Sequence, residues 1–286
     1  MGEGRQRCTD HRQEGGVRAL SRIQETFDSV DGGALVAYIM GGDPDPQVSV
    51  DVAEAVLKGG ADIIELGIPF SDPIADGRAV QAAGVRALKS GTKPADVLRI
   101  ATEVKRARDT PVVVMTYFNP ILSRGASAFL DAARRSGVDG VIVPDLPLDE
   151  ARKFGSAARV RGVDSILLAA PTTGEERMKK IVANTSGFLY LVSVLGVTGA
   201  REQLKDSTVR LVKFAKRFTQ GKVPLAVGFG ISKPEHVRTM IGAGADAAIV
   251  GSAIVDRVAA IDRGEDEALT RIEAYVRSLK RATVSP

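Results

Sequence analysis

Cysteine and histidine are nearly absent from the 286-residue sequence, which holds one cysteine and two histidines. Cys8 has no partner for a disulfide within the chain, and a cysteine-based metal site needs several thiolates. His11 lies in a polar segment, whereas His236 follows "SKPE", a helix-start pattern that predicts a surface position on a helix. Serine–histidine, cysteine–histidine and polyhistidine-metal chemistry are therefore nearly excluded. Acid–base catalysis would fall to carboxylates, lysine or tyrosine.

Long apolar runs and blocks of one charge are also missing. No stretch approaches about 18 continuous apolar residues, and the N-terminus has no apolar segment followed by a cleavage site. We therefore expect a soluble, cytoplasmic protein with no membrane partner. The formal charge is only +4, and Lys and Arg are interleaved with Asp and Glu. This pattern is typical of solvated helix faces and argues against a nucleic-acid partner, although it tolerates an anionic metabolite.

The sequence does contain a series of short apolar runs rich in β-branched residues, separated by segments of helical period. Each run is continuous rather than alternating, which indicates strands buried on both faces, as in a parallel sheet covered by helices. Eight such runs favour a single (β/α)8 TIM barrel of the α/β class, with an open doubly wound sheet as the alternative. The predicted strands are 34–40, 62–67, 111–117, 139–144, 164–170, 188–194, 224–230 and 246–251.

Helices are predicted between these strands and before the first of them. "VRALSRIQETFDSV" (17–30) predicts an extra N-terminal helix, and "PADVLRIATEVKRA" (94–107) shows an apolar stripe at helical spacing. Several strands are preceded by the pattern glycine-x-aspartate-hydrophobic, a weak repeat of the kind that βα units leave. Residues 1–16 are polar and are expected to form a mobile extension, and residues 17–286 are expected to form a single barrel domain.

The segment "IIELGIPFSDPIADG" (63–77) places a glutamate in the second predicted strand and two aspartates in the loop that follows. Active sites of such barrels form at the C-terminal ends of the strands, so Glu65 is predicted to point into the barrel mouth. A carboxylate at the end of an apolar strand is costly unless it is paired or used. Asp72 and Asp76 have an ordinary alternative, because aspartates in proline- and glycine-rich loops commonly bond backbone N–H groups.

Glycine-rich loops follow the last three predicted strands and indicate a phosphate site. Glycines allow backbone N–H groups to approach a phosphate closely, and the loops after strands seven and eight form the usual phosphate corner of a TIM barrel. Each loop alone is also compatible with a plain tight turn. The candidate residues are Thr198 and Gly199 in "LGVTGA" (195–200), Gly230 in "GFGIS" (228–232), and Gly251 and Ser252 in "GSAIV" (251–255).

Apolar and aromatic residues near the strand ends predict a compartment between the carboxylates and the glycine loops. The substrate expected there is a phosphorylated small molecule with a bulky apolar or aromatic portion. Each residue alone is compatible with ordinary core packing. They are considered together only because all of them lie at about the same height along the strands. They are Tyr38, Met115, Ile142, Leu168, Tyr190 and Phe229.

"IELGIPFSDPIADG" (64–77) closely resembles the signature of the tryptophan synthase alpha subunit family. Other segments, among them "MGGDPDP", "YFNPIL", "VPDLPLDE" and "YLVSVLGVTGAR", resemble the family in the same order, over about residues 17–280. The resemblance implies a lyase that cleaves indole-3-glycerol phosphate into indole and glyceraldehyde 3-phosphate. It also implies no metal or cofactor on this chain, and an α2β2 heterotetramer whose beta subunit carries pyridoxal phosphate.

The resemblance also assigns roles to residues at matching positions. Glu65 would be the acid–base group and Asp76 would face the indole nitrogen. We expect desolvation to raise the pKa of Glu65, and Asp76 to stay ionised and stabilise positive charge on the indole. The substrate contacts implied are Tyr190 lining the site, Phe229 on the indole, and Gly199, Gly230, Gly251 and Ser252 on the phosphate.

Two positions depart from the family pattern. Many members have an arginine directly after "YLVS" and a proline after "ADG", where this chain has Val194 and Arg78. The first lies in a loop expected to close over the substrate, so the departures bear on loop closure and coupling to a partner more than on the chemistry.

Two rival interpretations remain. One is another phosphate-binding barrel, such as an isomerase or synthase of histidine or tryptophan synthesis; the lack of lysine in the predicted strands counts against it. The other is a subunit that has lost catalysis and serves mainly to activate a beta partner. The presence of Glu65 and Asp76 counts against that interpretation.

Overall fold

The computed structural model describes residues 21–192, 201–228, 230–261 and 266–284. The predicted extension of residues 1–16 lies outside these ranges, and the assignment of residues 17–286 to one domain stays a prediction. None of the helices in the described ranges is long and apolar enough to span a membrane.

The strands lie where the apolar runs predicted them, and nearly all of their residues are buried. All neighbouring strands in the described sheet are parallel. The strands are β1 (Ala34–Met40), β2 (Ile63–Gly67), β3 (Val112–Met115), β4 (Gly140–Ile142), β5 (Asp164–Ile166), β6 (Leu168–Ala169), β7 (Leu189–Val192), β8 (Leu225–Gly228) and β9 (Ala247–Val250). Their order in the sheet is β5-β4-β3-β2-β1-β9-β8-β7-β6.

The sheet closes because β5 and β6 are two parts of one strand run. β5 pairs with β4, and β6 pairs with β7. At the junction, the N–H of Leu167 donates to Thr185 Oγ1 at 2.9 Å, and its carbonyl accepts from the N–H of Tyr190 at 3.0 Å. The nine segments therefore correspond to the eight predicted strands, the fifth of which (164–170) is interrupted. The predicted (β/α)8 barrel is confirmed.

Helices alternate with the strands. The helix predicted at 94–107 is observed with those bounds, and the N-terminal helix predicted over 17–30 is observed from Arg22. In the described residues the helices are α1 (Arg22–Ser29), α2 (Pro46–Lys58), α3 (Arg78–Lys89), α4 (Pro94–Ala107), α5 (Phe118–Arg124), α6 (Ala126–Arg135), α7 (Leu148–Val160), α8 (Glu175–Asn184), α9 (Arg201–Thr219), α10 (Pro234–Gly242), α11 (Ser252–Val258) and α12 (Asp266–Lys280).

One end of the barrel is closed by α1. Ile23 is fully buried in the cluster of side chains inside the barrel, and the ring of Phe27 lies 6.0 Å from that of Phe188, just before β7. A Cβ added to Gly140, the first residue of β4, would lie 2.8 Å from Ile23 Cδ1, which shows how closely the helix fits this end. The N-terminal ends of the strands are therefore filled, and a cavity can open only at the C-terminal ends.

Aspartates at the strand starts hold this closed end together. Each accepts a hydrogen bond from a backbone N–H of the neighbouring strand and pairs with a lysine of an outer helix, which explains the repeated glycine-x-aspartate-hydrophobic pattern. Asp62 accepts from Leu35 N–H (2.7 Å) and Lys280 Nζ (2.6 Å), Asp139 from Val112 N–H (2.9 Å) and Lys105 Nζ (2.7 Å), and Asp246 from Leu225 N–H (2.7 Å) and Lys216 Nζ (2.7 Å).

Candidate active site

A cavity of about 670 Å³ opens at the C-terminal ends of the strands, opposite α1. This is the end at which TIM barrels carry their active sites. The strands β1, β2, β3, β6, β7 and β9 contribute residues to its wall, as do the loops after β2, β4, β8 and β9. The predicted site residues that line it are Tyr38, Glu65, Asp76, Tyr190, Gly230, Gly251 and Ser252.

Glu65 points into the barrel because side chains alternate along β2. Its neighbours Ile64 and Leu66 pack outward against the helices, whereas Ile63 belongs to the cluster inside the barrel. Glu65 is 1 % exposed, and neither carboxylate oxygen has a hydrogen-bond partner among the described residues. Burial raises its pKa from 4.5 to about 8, with a smaller contribution from the charge of Asp76. At neutral pH this carboxyl group therefore holds a proton that it can donate.

Asp76 lies two residues before α3, in the loop after β2. Burial raises its pKa from 3.8 to about 6, and a hydrogen bond from Tyr117 opposes the rise. The Tyr117 hydroxyl also accepts from the N–H of Ala75 at 3.0 Å, so it fixes the loop that carries the carboxylate. Asp76 is consequently mostly ionised at neutral pH, whereas Glu65 is mostly protonated. These states agree with the expectation from the sequence, although the rise for Asp76 was not predicted.

Two buried tyrosines flank the carboxyl groups. Tyr38 is the register partner of Glu65 across β1 and β2, and Tyr190 lies on β7. Burial, and then the nearby carboxylates, raises the pKa of both tyrosines well above the ordinary value, so both stay neutral. A Cβ at Gly67 would lie 2.2 Å from the Tyr38 hydroxyl oxygen, and one at Gly228 would lie 2.6 Å from that of Tyr190. Glycine at these two strand ends leaves room for the rings.

The glycine loops reach the same cavity from its other side. Gly230, after β8, has φ +74°, a conformation that favours glycine. Gly251 and Ser252 form the start of α11, where the first backbone N–H groups of a helix have no partner within it. The other predicted substrate contacts, Thr198, Gly199 and Phe229, lie outside the described residues, as does Val194.

The structure corrects the placement of one predicted compartment residue. Met115 and Leu168 line the cavity as predicted, but Ile142 is fully buried in the cluster inside the barrel. Asp72 is exposed, its carboxylate accepts from Ser71 Oγ at 2.5 Å, and it does not line the cavity, which argues against a catalytic role.

Residues at the start of α10 also line the cavity, and no sequence pattern predicted this. His236 lies on a helix, as predicted, but its ring is half-buried and lines the cavity. Its Nδ1 accepts from the N–H of Ser232 at 3.3 Å. Lys233 lines the cavity beside it. The one clue was position, since these residues directly follow the glycine loop of β8.

The arrangement suits proton transfer to an apolar, anionic substrate. A protonated carboxyl group and an ionised carboxylate face one mostly apolar cavity, so one can donate a proton while the other stabilises positive charge. Among the described residues, no group of three or more His, Cys, Asp or Glu could hold a metal ion.

Comparison with known proteins places the chain close to one family. The family model described as tryptophan synthase alpha chain matches residues 25–284. A tryptophan synthase alpha chain from Prochlorococcus marinus is 49% identical over 231 residues, which cover 81% of this chain and 83% of that protein. One from Methanoregula boonei is 43% identical over 264 residues, with coverage of 92% and 98%.

Solved structures give the same result. The tryptophan synthase A-subunit of the hyperthermophile Pyrococcus furiosus superimposes with a TM-score of 0.80 at 42% identity, covering 88% of this chain and 99% of that one. A chain from the structure of the tryptophan synthase α2β2 complex of the same organism superimposes with a TM-score of 0.81 at 43% identity and equal coverage.

Proposed function

The chain belongs to the tryptophan synthase alpha chain family, and we propose that it is the lyase that cleaves indole-3-glycerol phosphate into indole and glyceraldehyde 3-phosphate in tryptophan biosynthesis. The observation that carries this proposal is the buried carboxyl group of Glu65, which lies in one cavity with Asp76 and with two glycine loops. A retro-aldol cleavage needs these parts: a proton donor, a carboxylate near the ring nitrogen, and a phosphate site.

Glu65 acts first as an acid and then as a base. Its proton goes to indole C3, which leaves a positive charge on the ring that the Asp76 carboxylate stabilises at N1–H. Glu65, now ionised, takes the proton of the hydroxyl on the carbon attached to C3. The carbon–carbon bond breaks, its electrons neutralise the ring, and the hydroxyl carbon becomes the aldehyde. Glu65 is protonated again, so the cycle closes on one residue.

The remaining predicted residues hold the substrate. Tyr38 and Tyr190 flank the carboxyl groups and bound the space for the indole and glycerol portions. The phosphate lies at the glycine loops on the other side, where Gly230, Gly251 and Ser252 line the cavity. From the sequence we add Thr198 and Gly199 at the phosphate and Phe229 on the indole.

The chain works with a partner. We propose an α2β2 assembly with a tryptophan synthase beta subunit, supported by the similarity to a chain of the Pyrococcus furiosus α2β2 complex. Pyridoxal phosphate is expected only on that beta subunit, and this chain is expected to need no cofactor of its own. A cytoplasmic location stays a prediction.

Indole release from indole-3-glycerol phosphate by the purified chain, alone and with a beta subunit, tests the proposed activity. Glu65→Gln keeps the shape of the side chain but removes the transferable proton. We expect kcat to fall by about 10²–10⁴-fold with KM nearly unchanged. If the wild-type chain released no indole under either condition, the activity would be wrong and the role of an inactive partner would be favoured. Near-normal turnover by Glu65→Gln would show that Glu65 is not the acid–base group.

A further inference from the structure

The backbone of Ser232 is hydrogen-bonded to side chains of two different helices. Ser232 lies between Gly230 and the start of α10 and lines the cavity. Its N–H donates to Nδ1 of His236 in α10 at 3.3 Å, and its carbonyl accepts from the hydroxyl of Tyr275 in α12 at 2.9 Å. The loop after β8 is therefore fixed on both sides of one residue, two positions beyond Gly230.

Tyr275 also contacts α11, the helix that follows the second glycine loop. The guanidinium of Arg257, in α11, lies 3.4 Å from the centre of the Tyr275 ring, and its Nη1 donates to the carbonyl of Ala253 at 2.6 Å. Ala253 is the second residue of α11, directly after Ser252. One side chain of α12 thus connects the loop after β8 with the helix that starts after β9.

We propose that Tyr275 and His236 are positioning residues for phosphate recognition: they fix the Ser232 peptide so that the Gly230 turn and the start of α11 keep a constant separation. This inference rests on the proposed function, which places the substrate phosphate between those two loops. Tyr275 lies outside the cavity wall formed by the described residues and acts through Ser232. His236 reaches the wall, but the contact that matters here is the one from its Nδ1 to the Ser232 N–H.

These two hydrogen bonds to Ser232 affect phosphate binding because they preorganise the loop. Backbone donors bind a phosphate tightly only when they are already aimed at it, because a loop that must be ordered on binding loses part of the binding free energy. Removing the Tyr275 hydroxyl leaves the Ser232 carbonyl without this donor, so the loop is held only by the contact to His236. A lost hydrogen bond of this kind corresponds to about a five- to tenfold weaker interaction.

The first test uses Tyr275→Phe, which keeps the ring over Arg257 and removes only the hydroxyl. The reaction is measured in reverse, from indole and glyceraldehyde 3-phosphate. We expect KM for glyceraldehyde 3-phosphate and the inhibition constant of inorganic phosphate to rise about five- to tenfold, whereas KM for indole and kcat stay within about twofold. A residue that merely stabilised the fold would not separate the two substrates in this way.

Ser278→Ala is the matched control. Ser278 lies on the same helix, and its Oγ donates to the Tyr275 carbonyl at 2.6 Å, so the substitution removes a hydroxyl that does not contact the glycine loops. We expect this variant to keep wild-type values of KM for both substrates.

The second test compares His236→Asn with His236→Ala. The asparagine Oδ1 lies near the position of the histidine Nδ1 and can accept from the Ser232 N–H, whereas alanine cannot. We expect Asn to keep the wild-type KM for glyceraldehyde 3-phosphate and Ala to raise it several-fold. Equal losses in the two variants would overturn the Nδ1 contact as the reason.

The two proposals fail in different ways. A wild-type chain that neither forms nor cleaves indole-3-glycerol phosphate would contradict the proposed function itself. An active wild type, with Tyr275→Phe indistinguishable from Ser278→Ala, would overturn the positioning role alone. The same conclusion would follow if Tyr275→Phe raised KM for indole as much as KM for glyceraldehyde 3-phosphate.

Discussion

At the scale of single residues, the burial that makes Glu65 a proton donor also opposes folding. An ionised carboxylate is destabilised in the barrel, which raises the pKa from 4.5 to about 8. The contribution of the neutral Glu65 carboxyl group to the free energy of unfolding is therefore fully present below about pH 4.5. It is lost as the pH rises towards 8, because the folded protein must then ionise a buried group. At about 1.36 kcal/mol per pKa unit, the loss has an upper limit of roughly 5 kcal/mol.

Glu65→Gln should remove this loss, because the amide is neutral at every pH. We expect the variant to be more stable than the wild type by a few kcal/mol at pH 9 and by little at pH 5, as measured by urea unfolding at both pH values. A difference between the two proteins that did not change with pH would show that Glu65 is not buried in its protonated form.

The two carboxyl groups together predict a bell-shaped pH profile of kcat/KM. The proposed mechanism needs Asp76 ionised, above about pH 6, and Glu65 protonated, below about pH 8. Because the charge of Asp76 contributes to the raised pKa of Glu65, the residual activity of Asp76→Asn should lose the acid limb and show a basic limb at lower pH. Activity that instead increased above pH 8 would mean that Glu65 begins the reaction as a base.

At the scale of strands and helices, the aspartate–lysine pairs at the strand starts connect each helix to two strands. Asp139 is the most buried of the three described above, at 5 % exposure, and it accepts from both Val112 N–H and Lys105 Nζ through Oδ2. Asp139→Ala leaves the Val112 N–H without its acceptor and Lys105 without its carboxylate partner, so we expect a loss of about 3–5 kcal/mol in unfolding free energy.

Urea unfolding measures this loss, and Glu54→Ala provides the comparison. Glu54 pairs with Lys58 on the surface of α2 with both side chains well exposed, so its removal should cost about 0.5 kcal/mol or less. Similar losses in the two variants would mean that the pairs at the strand starts contribute no more than surface charges.

The strands were predictable because continuous apolar runs mark a sheet buried on both faces. Their ends were not, since an apolar run continues past the last ladder hydrogen bond: the prediction of 111–117 shortens to Val112–Met115. The break at Leu167 has no local signal either. It depends on the Thr185 hydroxyl, which lies 18 residues away and takes the N–H that a strand neighbour would otherwise accept.

The candidate site, too, has a part that the sequence predicts and a part that it does not. That Glu65 and Asp76 would line one cavity was predictable because a strand end and its loop are local in sequence. Tyr117 and Tyr275 were not, because each acts on a backbone group 42 or 43 residues away, on another element. Side chains that position a loop from a distant helix leave no periodic pattern, and only the folded contacts show them.

At the scale of the whole molecule, the two ends of the barrel have separate tasks. The N-terminal ends of the strands are closed by α1, with Ile23 fully buried, whereas the cavity occupies the other end. Ile23→Ala should lower the unfolding free energy by about 2–5 kcal/mol through the cavity it creates. Well below the melting temperature, kcat/KM should stay within about twofold of the wild type. A large loss of kcat/KM under those conditions would show that the two ends are coupled.

The same division predicts where a beta subunit binds. Exposed apolar side chains lie around the mouth: Ile74, 82% exposed in the loop after β2, and Leu122, 57% exposed on α5, which follows β3. Val160 is 86% exposed but ends α7 just before β5, at the opposite end of the barrel. Both Leu122 and Val160 lie outside the cavity wall of the described residues, so a charge at either should leave indole release by the isolated chain unchanged.

Leu122→Asp and Val160→Asp therefore form a matched pair. If the beta subunit covers the mouth, Leu122→Asp places a carboxylate in the buried interface and should weaken association about tenfold or more, which is about 1.4 kcal/mol. Val160→Asp should bind the beta subunit like the wild type. Calorimetric titration of each purified variant with the beta subunit measures the two affinities. Weakening by Val160→Asp with no effect of Leu122→Asp would place the interface at the closed end, away from the cavity from which indole is released.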